Sequence, residues 1–352
     1  MNRRDIYYWK CDRPAAFHGT QTRGEADANL ASQLETELQR HFDTKNVVLS
    51  PGAGQGNHLT WNADVDEKPL FIRVENGPEK DAHLAVESAL LYCVRAAGVV
   101  TPRVFGCDAS RSHVSFAWQA LERIEAPDLN QCFKQGTLEV PKIAFEIGVA
   151  VAKWQSITLE GFGVLDEQLR GYRASYADYF HLRLDEHLHF LKTRGFLANT
   201  DDILAEIENH RALLDLPQGC LVHKDLALWN ILGTSDAIAA FIDFDDAISG
   251  DPMDDLSLLA CFHDAAFLQR AFEGYQSIRA LPENHLRRFW LHLLRNLIVK
   301  AVIRVGAGYF ERDSGFFLIG SGSSGADLRH FTLGRLQTAL RGLREDPDIS
   351  TL

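Results

Sequence analysis

Residues 220–233 read CLVHKDLALWNILG, and residues 237–252 read AIAAFIDFDDAISGDP. Each opens on a short apolar run of strand character and then breaks into a polar loop. His223, Asp225 and Asn230 stand as H-x-D-x-x-x-x-N, and Asp243 follows thirteen residues later at the end of the second apolar run. Residues 225–256 hold eight aspartates (225, 236, 243, 245, 246, 251, 254, 255) and no Lys or Arg. Crowding of that kind is costly unless a cation or a hydrogen-bond network compensates it. Phosphoryl transfer asks a protein for such a set: a carboxylate to receive the acceptor hydroxyl, and oxygen ligands for the magnesium on the polyphosphate. Asp225 suits the first role, Asn230 and Asp243 the second. Two flanking strands would hold the loops in register.

Upstream, NVVLS (46–50) predicts a strand, PGAGQGN (51–57) a glycine-rich turn, HLTWNADV (58–65) a second strand and LFIRV (70–74) a third. A helix is expected over about 80–97, with Leu84, Leu90, Leu91 and Val94 on its apolar side, and a further strand over VSFAWQAL (114–121). Before this sheet, Leu30, Leu34 and Leu38 recur at helical spacing within 23–42, and residues 1–22 read as irregular. Past Ile124 the texture is helical except for the island quoted above and a loop at GSGSSGA (320–326). No internal repeat is present.

The two quoted stretches, with Gly250-Asp251-Pro252 and Asp255-Leu256, resemble the aminoglycoside phosphotransferase and choline kinase superfamily. Protein kinases share the first pattern but place Asp-Phe-Gly where this chain has Asp243-Phe244-Asp245. The resemblance implies an α+β, bilobal protein-kinase-like fold. A small N-terminal antiparallel sheet lobe with one helix (45–123) would bind the nucleotide, and a large, mainly helical C-terminal lobe (124–352) would hold catalysis and the substrate. Residues 1–44 would be an N-terminal extension with a helix. The resemblance further implies ATP and Mg²⁺ as cofactors, Asp225 as catalytic base, Asn230 and Asp243 as metal ligands, and Asp255 as a residue holding the loop. Gly52, Gly54, Gly56 and Asn57 would approach the phosphates through backbone N–H groups. Arg73 stands in the place of the kinase strand lysine, with Glu87 as its ion-pair partner. Arginine is not equivalent to lysine there. Backbone groups around Glu122–Ile124, in AWQALERIEA, would meet the adenine edge.

Lys224 is expected at the surface or behind the site, since protein kinases carry their phosphate lysine two residues after the aspartate, where this chain has Ala227. His181, His187 and His189 read as residues of an amphipathic helix. Tyr172, Tyr176, Tyr179, Phe180, Trp290, Tyr309 and Phe310 are candidates for an acceptor pocket or for core. Aromatic faces beside carboxylates would suit an ammonium or amino-sugar through cation–π contact, and equally a sugar by stacking. The segment YYWKCDRPAAFHG (7–19) is foreign to a kinase core, and either covers the site or docks on the back of the small lobe.

With 36 Lys and Arg against 48 Asp and Glu, the net charge is −12 and no basic stripe offsets it, which disfavours a nucleic-acid partner. The six cysteines form no Cys-x-x-Cys pair, so neither zinc nor a disulfide framework is expected. The N-terminus lacks the apolar run of a signal peptide. Arg295, Lys300 and Arg304 interrupt the most apolar helical stretch, so no membrane span and a cytoplasmic setting are expected. Three readings follow: a small-molecule kinase acting on an amino-sugar, amino alcohol, sugar or hydroxy amino acid; a protein kinase; and a non-catalytic nucleotide-binding regulator. The missing Asp-Phe-Gly and the absence of an activation segment between Asp243 and Asp255 disfavour the second. Intact Asp225, Asn230 and Asp243 disfavour the third.

Overall fold

The computed structural model describes residues 2–12, 28–52, 58–76, 80–312 and 324–352. A short helix α1 (Trp9–Asp12) precedes α2 (Ala28–Phe42). The alternating residues of β2 (His58–Val65) and β3 (Lys68–Glu75) then form the centre of an antiparallel sheet, with β1 (Val47–Pro51) on one edge. Asp66 and Glu67, both at positive φ, make the two-residue turn between β2 and β3, the conformation whose twist matches a hairpin. After α3 (His83–Ala96), strands β4 (Val104–Asp108) and β5 (Trp118–Glu122) complete the order β1-β2-β3-β5-β4. Leu34 and Leu38 of α2 pack with Trp61, Ile72, Val74 and Trp118 into a small core of their own.

Several local expectations need correction. β4 was not foreseen, and the strand expected over 114–121 begins only at Trp118. The Glu75 carboxylate takes the Ala117 N–H at 2.8 Å, ending the ladder there. Residues 3–5 and 9–12 are helical turns rather than irregular chain. Of the loop expected at 320–326, residues 320–323 lie outside the described residues. Ser324 instead caps the last helix in a capping box with Asp327, and Gly325 is already helical.

The second part begins with α4 (Leu129–Lys134) and α5 (Val140–Trp154), followed by β6 (Thr158–Leu159), β7 (Phe162–Leu165) and β8 (Gly171–Arg173). Helices α6 (Tyr176–Phe180), α7 (Leu184–Thr193) and α8 (Asp201–Asn209) lead to β9 (Gly219–Val222), β10 (Ile231–Gly233), β11 (Ile238–Phe241) and β12 (Ile248–Gly250). Four helices close the chain: α9 (Met253–Leu259), α10 (Ala265–Gln276), α11 (His285–Gly306) and α12 (Gly325–Glu345). β10 and β11 form a hairpin, while β9 and β12 sit inside a sheet of order β6-β9-β12-β7-β8. Helices α5 and α10 cross at glycines. A Cβ on Gly148 would lie 1.9 Å from the Ala271 carbonyl oxygen, and one on Gly274 2.0 Å from that of Phe145, so neither position accepts a side chain.

α11 is buried over most of its length yet carries His292, Arg295, Lys300 and Arg304 among its buried residues. A buried cation needs a partner, and Lys300 meets its own at the site below. No described helix is long and apolar enough to cross a membrane.

Candidate functional site

β9 ends at Val222, and the chain turns through His223, Lys224 and Asp225. Lys224 takes φ +68°, a left-handed conformation uncommon outside glycine and held here by its surroundings. Asp255, on α9, accepts the N–H groups of His223 and Lys224 (both 3.1 Å) and the Trp154 indole N–H (2.9 Å). His223 Nε2 donates to the Ile242 carbonyl at 3.0 Å, and its Nδ1 accepts the Asp225 N–H at 3.3 Å. The Ile242 N–H in turn donates to the Asn230 carbonyl at 3.0 Å. The loop of Asp225 and the loop of Asp243 are thereby locked to one another across the β10–β11 hairpin. Asp243 also has a left-handed backbone, at φ +67°.

Asp225 is 1% exposed, and four donors surround its carboxylate. Oδ1 accepts from the Tyr8 hydroxyl (2.5 Å) and Lys300 Nζ (3.0 Å); Oδ2 accepts from Lys10 Nζ (2.6 Å) and Asn230 Nδ2 (3.1 Å). Burial opposes its ionisation, but the charges of Lys10 and Lys300 and the bonds from Lys10 and Tyr8 outweigh burial and hold the carboxyl well below the usual range. Asp243 goes the other way: burial and the neighbouring Asp245 push it well above the usual range, against the pull of Arg73. Asp246 is pushed up to about 7 by burial and by Asp245 and Asp225. Two carboxyls that resist ionisation beside two that stay charged describe a cluster short of positive charge. Its donor set, all oxygen, fits a hard divalent cation such as Mg²⁺. Asn230 commits its amide N–H₂ to Asp225, also donating to the Asp225 carbonyl at 2.8 Å, so that its carboxamide oxygen is the atom that could hold a metal.

Arg73, on β3, pairs with Glu87 of α3 and reaches Asp243 Oδ1 (2.9 Å) and Asp245 Oδ2 (3.3 Å). Both Arg73 and Glu87 are buried. Removing one partner of a buried pair leaves an uncompensated charge, typically at a cost of about 3–5 kcal/mol. Arg73→Ala is therefore expected to lower the unfolding free energy by about that much and to weaken nucleotide use as well. Chemical denaturation beside a nucleotide titration checks both, and an unchanged denaturation midpoint would contradict the buried pair.

Lys224 takes the second of its two expected places, behind the site rather than at the surface. It is buried, and its Nζ donates to Asp254 Oδ2 (2.7 Å), Asn296 Oδ1 (3.1 Å) and the Tyr7 hydroxyl (3.2 Å). The cause is Asp254, which has no exposure of its own and needs a cation. Lys224→Met keeps the length and strands that carboxylate. A loss of about 3–5 kcal/mol is expected in urea unfolding, and a loss below about 1 kcal/mol, the range of surface pairs, would mean that the pair is solvated.

Gly52 lies at the end of β1, its N–H donating to the Thr60 carbonyl at 3.0 Å; Gly54, Gly56 and Asn57 lie outside the described residues. Glu122 ends β5, exchanging bonds with Arg103 through its N–H (2.8 Å) and carboxylate (3.1 Å), and Ile124 follows beyond the strand. Tyr176, Tyr179, Phe180 and Trp290 are buried core, while Tyr172 is exposed. His187 lies on the buried side of α7, against Asp12 (2.7 Å) and Arg295 (3.1 Å). Among the described residues, two clusters have metal-like geometry, His58–His83–Asp245 and Cys11–Asp12–His187. Guanidinium groups already compensate both: Arg3 and Arg73 at the first, Arg183 and Arg295 at the second.

Of the residues that complete the surroundings of Asp225, sequence reasoning missed Lys300, while Tyr8 and Lys10 realise the first alternative for the 7–19 segment, that of covering the site. The usable signal for Lys300 was a charged residue inside the apolar run NLIVKAVI (296–303).

A family model described as the phosphotransferase enzyme family matches residues 48–289, more than half of the chain. The chain belongs to that family. The family is one of phosphotransferase enzymes. A thermostable mutant of aminoglycoside phosphotransferase APH(4)-Ia, in a ternary complex with ADP and hygromycin B, superposes with a TM-score of 0.63 at 18% identity, covering 88% of this chain and 98% of that one. A putative fructosamine-3-kinase from Thermobifida fusca gives 0.59 at 20% identity (86% and 98% covered), and APH(2")-IIa with streptomycin and ATP gives 0.56 at 16% identity (91% and 99%). These likenesses establish the protein-kinase-like fold. No sequence among curated proteins matches the chain.

Proposed function

We propose that the protein transfers the γ-phosphoryl group of ATP, in a Mg²⁺-dependent reaction, to a hydroxyl of a small molecule. The observation that carries this reading is the convergence of Asp225, Asn230 and Asp243 around one short hairpin, with their loops locked together and the Asp243 carboxyl short of positive charge. Asp225, ionised and fixed, receives the hydrogen bond of the acceptor hydroxyl and aligns its oxygen. Asn230 and Asp243 hold the magnesium, which when bound neutralises charge on the polyphosphate. Arg73, anchored by Glu87, faces the phosphates. The glycine-rich turn (Gly52, Gly54, Gly56, Asn57) offers backbone N–H groups to them, and the backbone at Glu122 and Ile124 meets the adenine edge. Similar structures were solved with hygromycin B and with streptomycin, which makes amino-sugars the first class to try.

ADP release from Mg·ATP, measured with amino-sugars, choline-like amines, sugars and hydroxy amino acids, tests the proposal. One class is expected to raise the rate clearly above the acceptor-free background. Failure to bind Mg·ATP at all would sink the reading.

A further inference from the structure

Residues 2–12 run directly over Asp225 and are fastened at several points. The Tyr7 ring stacks on Tyr179 with centroids 4.7 Å apart, and the Arg295 guanidinium lies 3.6 Å from the Tyr7 ring centroid. The Tyr7 carbonyl accepts the Tyr179 hydroxyl at 2.8 Å. Asp12 Oδ2 takes the N–H groups of Tyr7 (2.8 Å) and Tyr8 (3.0 Å). Trp9 stacks on His83 (5.4 Å between centroids), and Arg3 reaches Asp81 (3.2 Å) and the Asp245 carbonyl (3.3 Å).

A carboxylate offers about four acceptor positions, and four donors occupy those of Asp225. Two of them, Lys300 and Asn230, belong to the body of the large lobe; the other two, Tyr8 and Lys10, belong to this segment. With the segment in place a further hydroxyl finds no free lone pair and no path to a carboxylate that is 1% exposed. The Tyr8 O–H points at the base as an acceptor's hydroxyl would. The Lys10 ammonium bonds Asp225 and lies in the field of Asp243 and Asp246 as well, where a cation is called for.

Resting on the phosphotransferase reading, we propose that residues 2–12 are an intramolecular stand-in for the reactants. Tyr8 holds the seat of the acceptor hydroxyl and Lys10 the seat of a cation, and the segment leaves before Mg²⁺, nucleotide and acceptor assemble productively. Departure frees two positions on Asp225 and removes one positive charge from the carboxylate cluster, which then favours a divalent cation. The docked and open forms are two states of one equilibrium, and ligands that bind the open form shift it. Their apparent affinity is lowered by the fraction of open chain.

The test needs no acceptor. Mg²⁺ with the non-hydrolysable ATP analogue AMP-PNP is titrated into the full chain, into Lys10→Gln and into Tyr8→Phe. Lys10 is 33% exposed in its side chain, and both substitutions preserve most of the parent's bulk, so the fold is retained. If the segment is docked about 90–99% of the time, each variant shifts half-saturation to lower Mg²⁺ by up to about 10–100-fold. Hydrogen exchange at the Tyr7 and Tyr8 amides of the full chain should accelerate when Mg²⁺ and the analogue bind. Binding that leaves those amides equally or better protected, or a Lys10→Gln chain that binds Mg²⁺ and nucleotide more weakly, overturns the proposal and makes Lys10 part of the binding site. Absence of binding in all three chains instead overturns the phosphotransferase reading, and this inference with it.

Discussion

Asp225→Asn is expected to lower the turnover number by about 10²–10⁴-fold, the usual contribution of a general base, and to leave Mg·ATP affinity within about tenfold, or 1.4 kcal/mol, of the parent. The asparagine keeps the shape, and its amide oxygen still accepts from Lys300 and Tyr8, the two donors on Oδ1. What is lost is the proton acceptor and the negative charge that Lys10 and Lys300 hold in place. The effect therefore belongs to the chemical step. Because the substitution also weakens the hold on Lys10, nucleotide affinity is expected to stay level or improve. Calorimetry with Mg·ATP beside a turnover assay on the best acceptor separates the two quantities. Full turnover in the variant, or loss of nucleotide binding, would show that Asp225 is not the base.

The parts of the site legible in the sequence are those that local spacing encodes. Asp225 and Asn230 sit five residues apart on one turn, and Asp243 closes the next strand, so their meeting follows from a single hairpin. The loop-holding role of Asp255 came from the family resemblance of Gly250-Asp251-Pro252 and Asp255-Leu256 rather than from local spacing, and the residue accepts two backbone N–H groups there. The paired strands β2 and β3 were equally legible, since alternation sets their register. The burial of the Arg73–Glu87 pair was not. It depends on the carboxylates of Asp243 and Asp245 meeting Arg73 from 170 and 172 residues away. For the same reason the sequence left Lys224 between the surface and the space behind the site, since the carboxylate of Asp254 that decides it is not part of its local pattern. The ligands of Asp225 from outside the hairpin lie 75 residues away at Lys300 and 217 at Tyr8. No periodicity connects such positions. What the sequence held was a need, a lysine in an apolar helix and an aromatic run at the N-terminus, without the identity of the group that answers it.

Asp243→Ala is expected to abolish Mg·ATP turnover while leaving the apo fold in place. Mg²⁺ takes few protein ligands, so loss of one carboxylate empties a large share of its protein shell. In the apo protein the same carboxylate is a liability. Its folded pKa is raised by burial and by Asp245, so the raised value costs stability above the unfolded pKa, and the cost disappears as pH falls through the folded value. Removing Asp243 relieves that repulsion but takes a partner from Arg73, which keeps Glu87 and Asp245. The two effects oppose each other, and a net change within about 1 kcal/mol in the absence of Mg²⁺ is expected, in the range of ordinary substitutions. The relief grows as pH rises, so stability relative to the parent should fall on acidification. Ligand linkage gives the decisive contrast. Mg²⁺ with nucleotide at a hundred times its dissociation constant stabilises the parent by about 2.7 kcal/mol, and the variant should gain almost none of this. Thermal unfolding with and without Mg²⁺ and AMP-PNP reads it directly. A variant stabilised as much as the parent would remove Asp243 from the metal site and transfer the ligand role to Asp245 or Asp246, the two other carboxylates of the same turn.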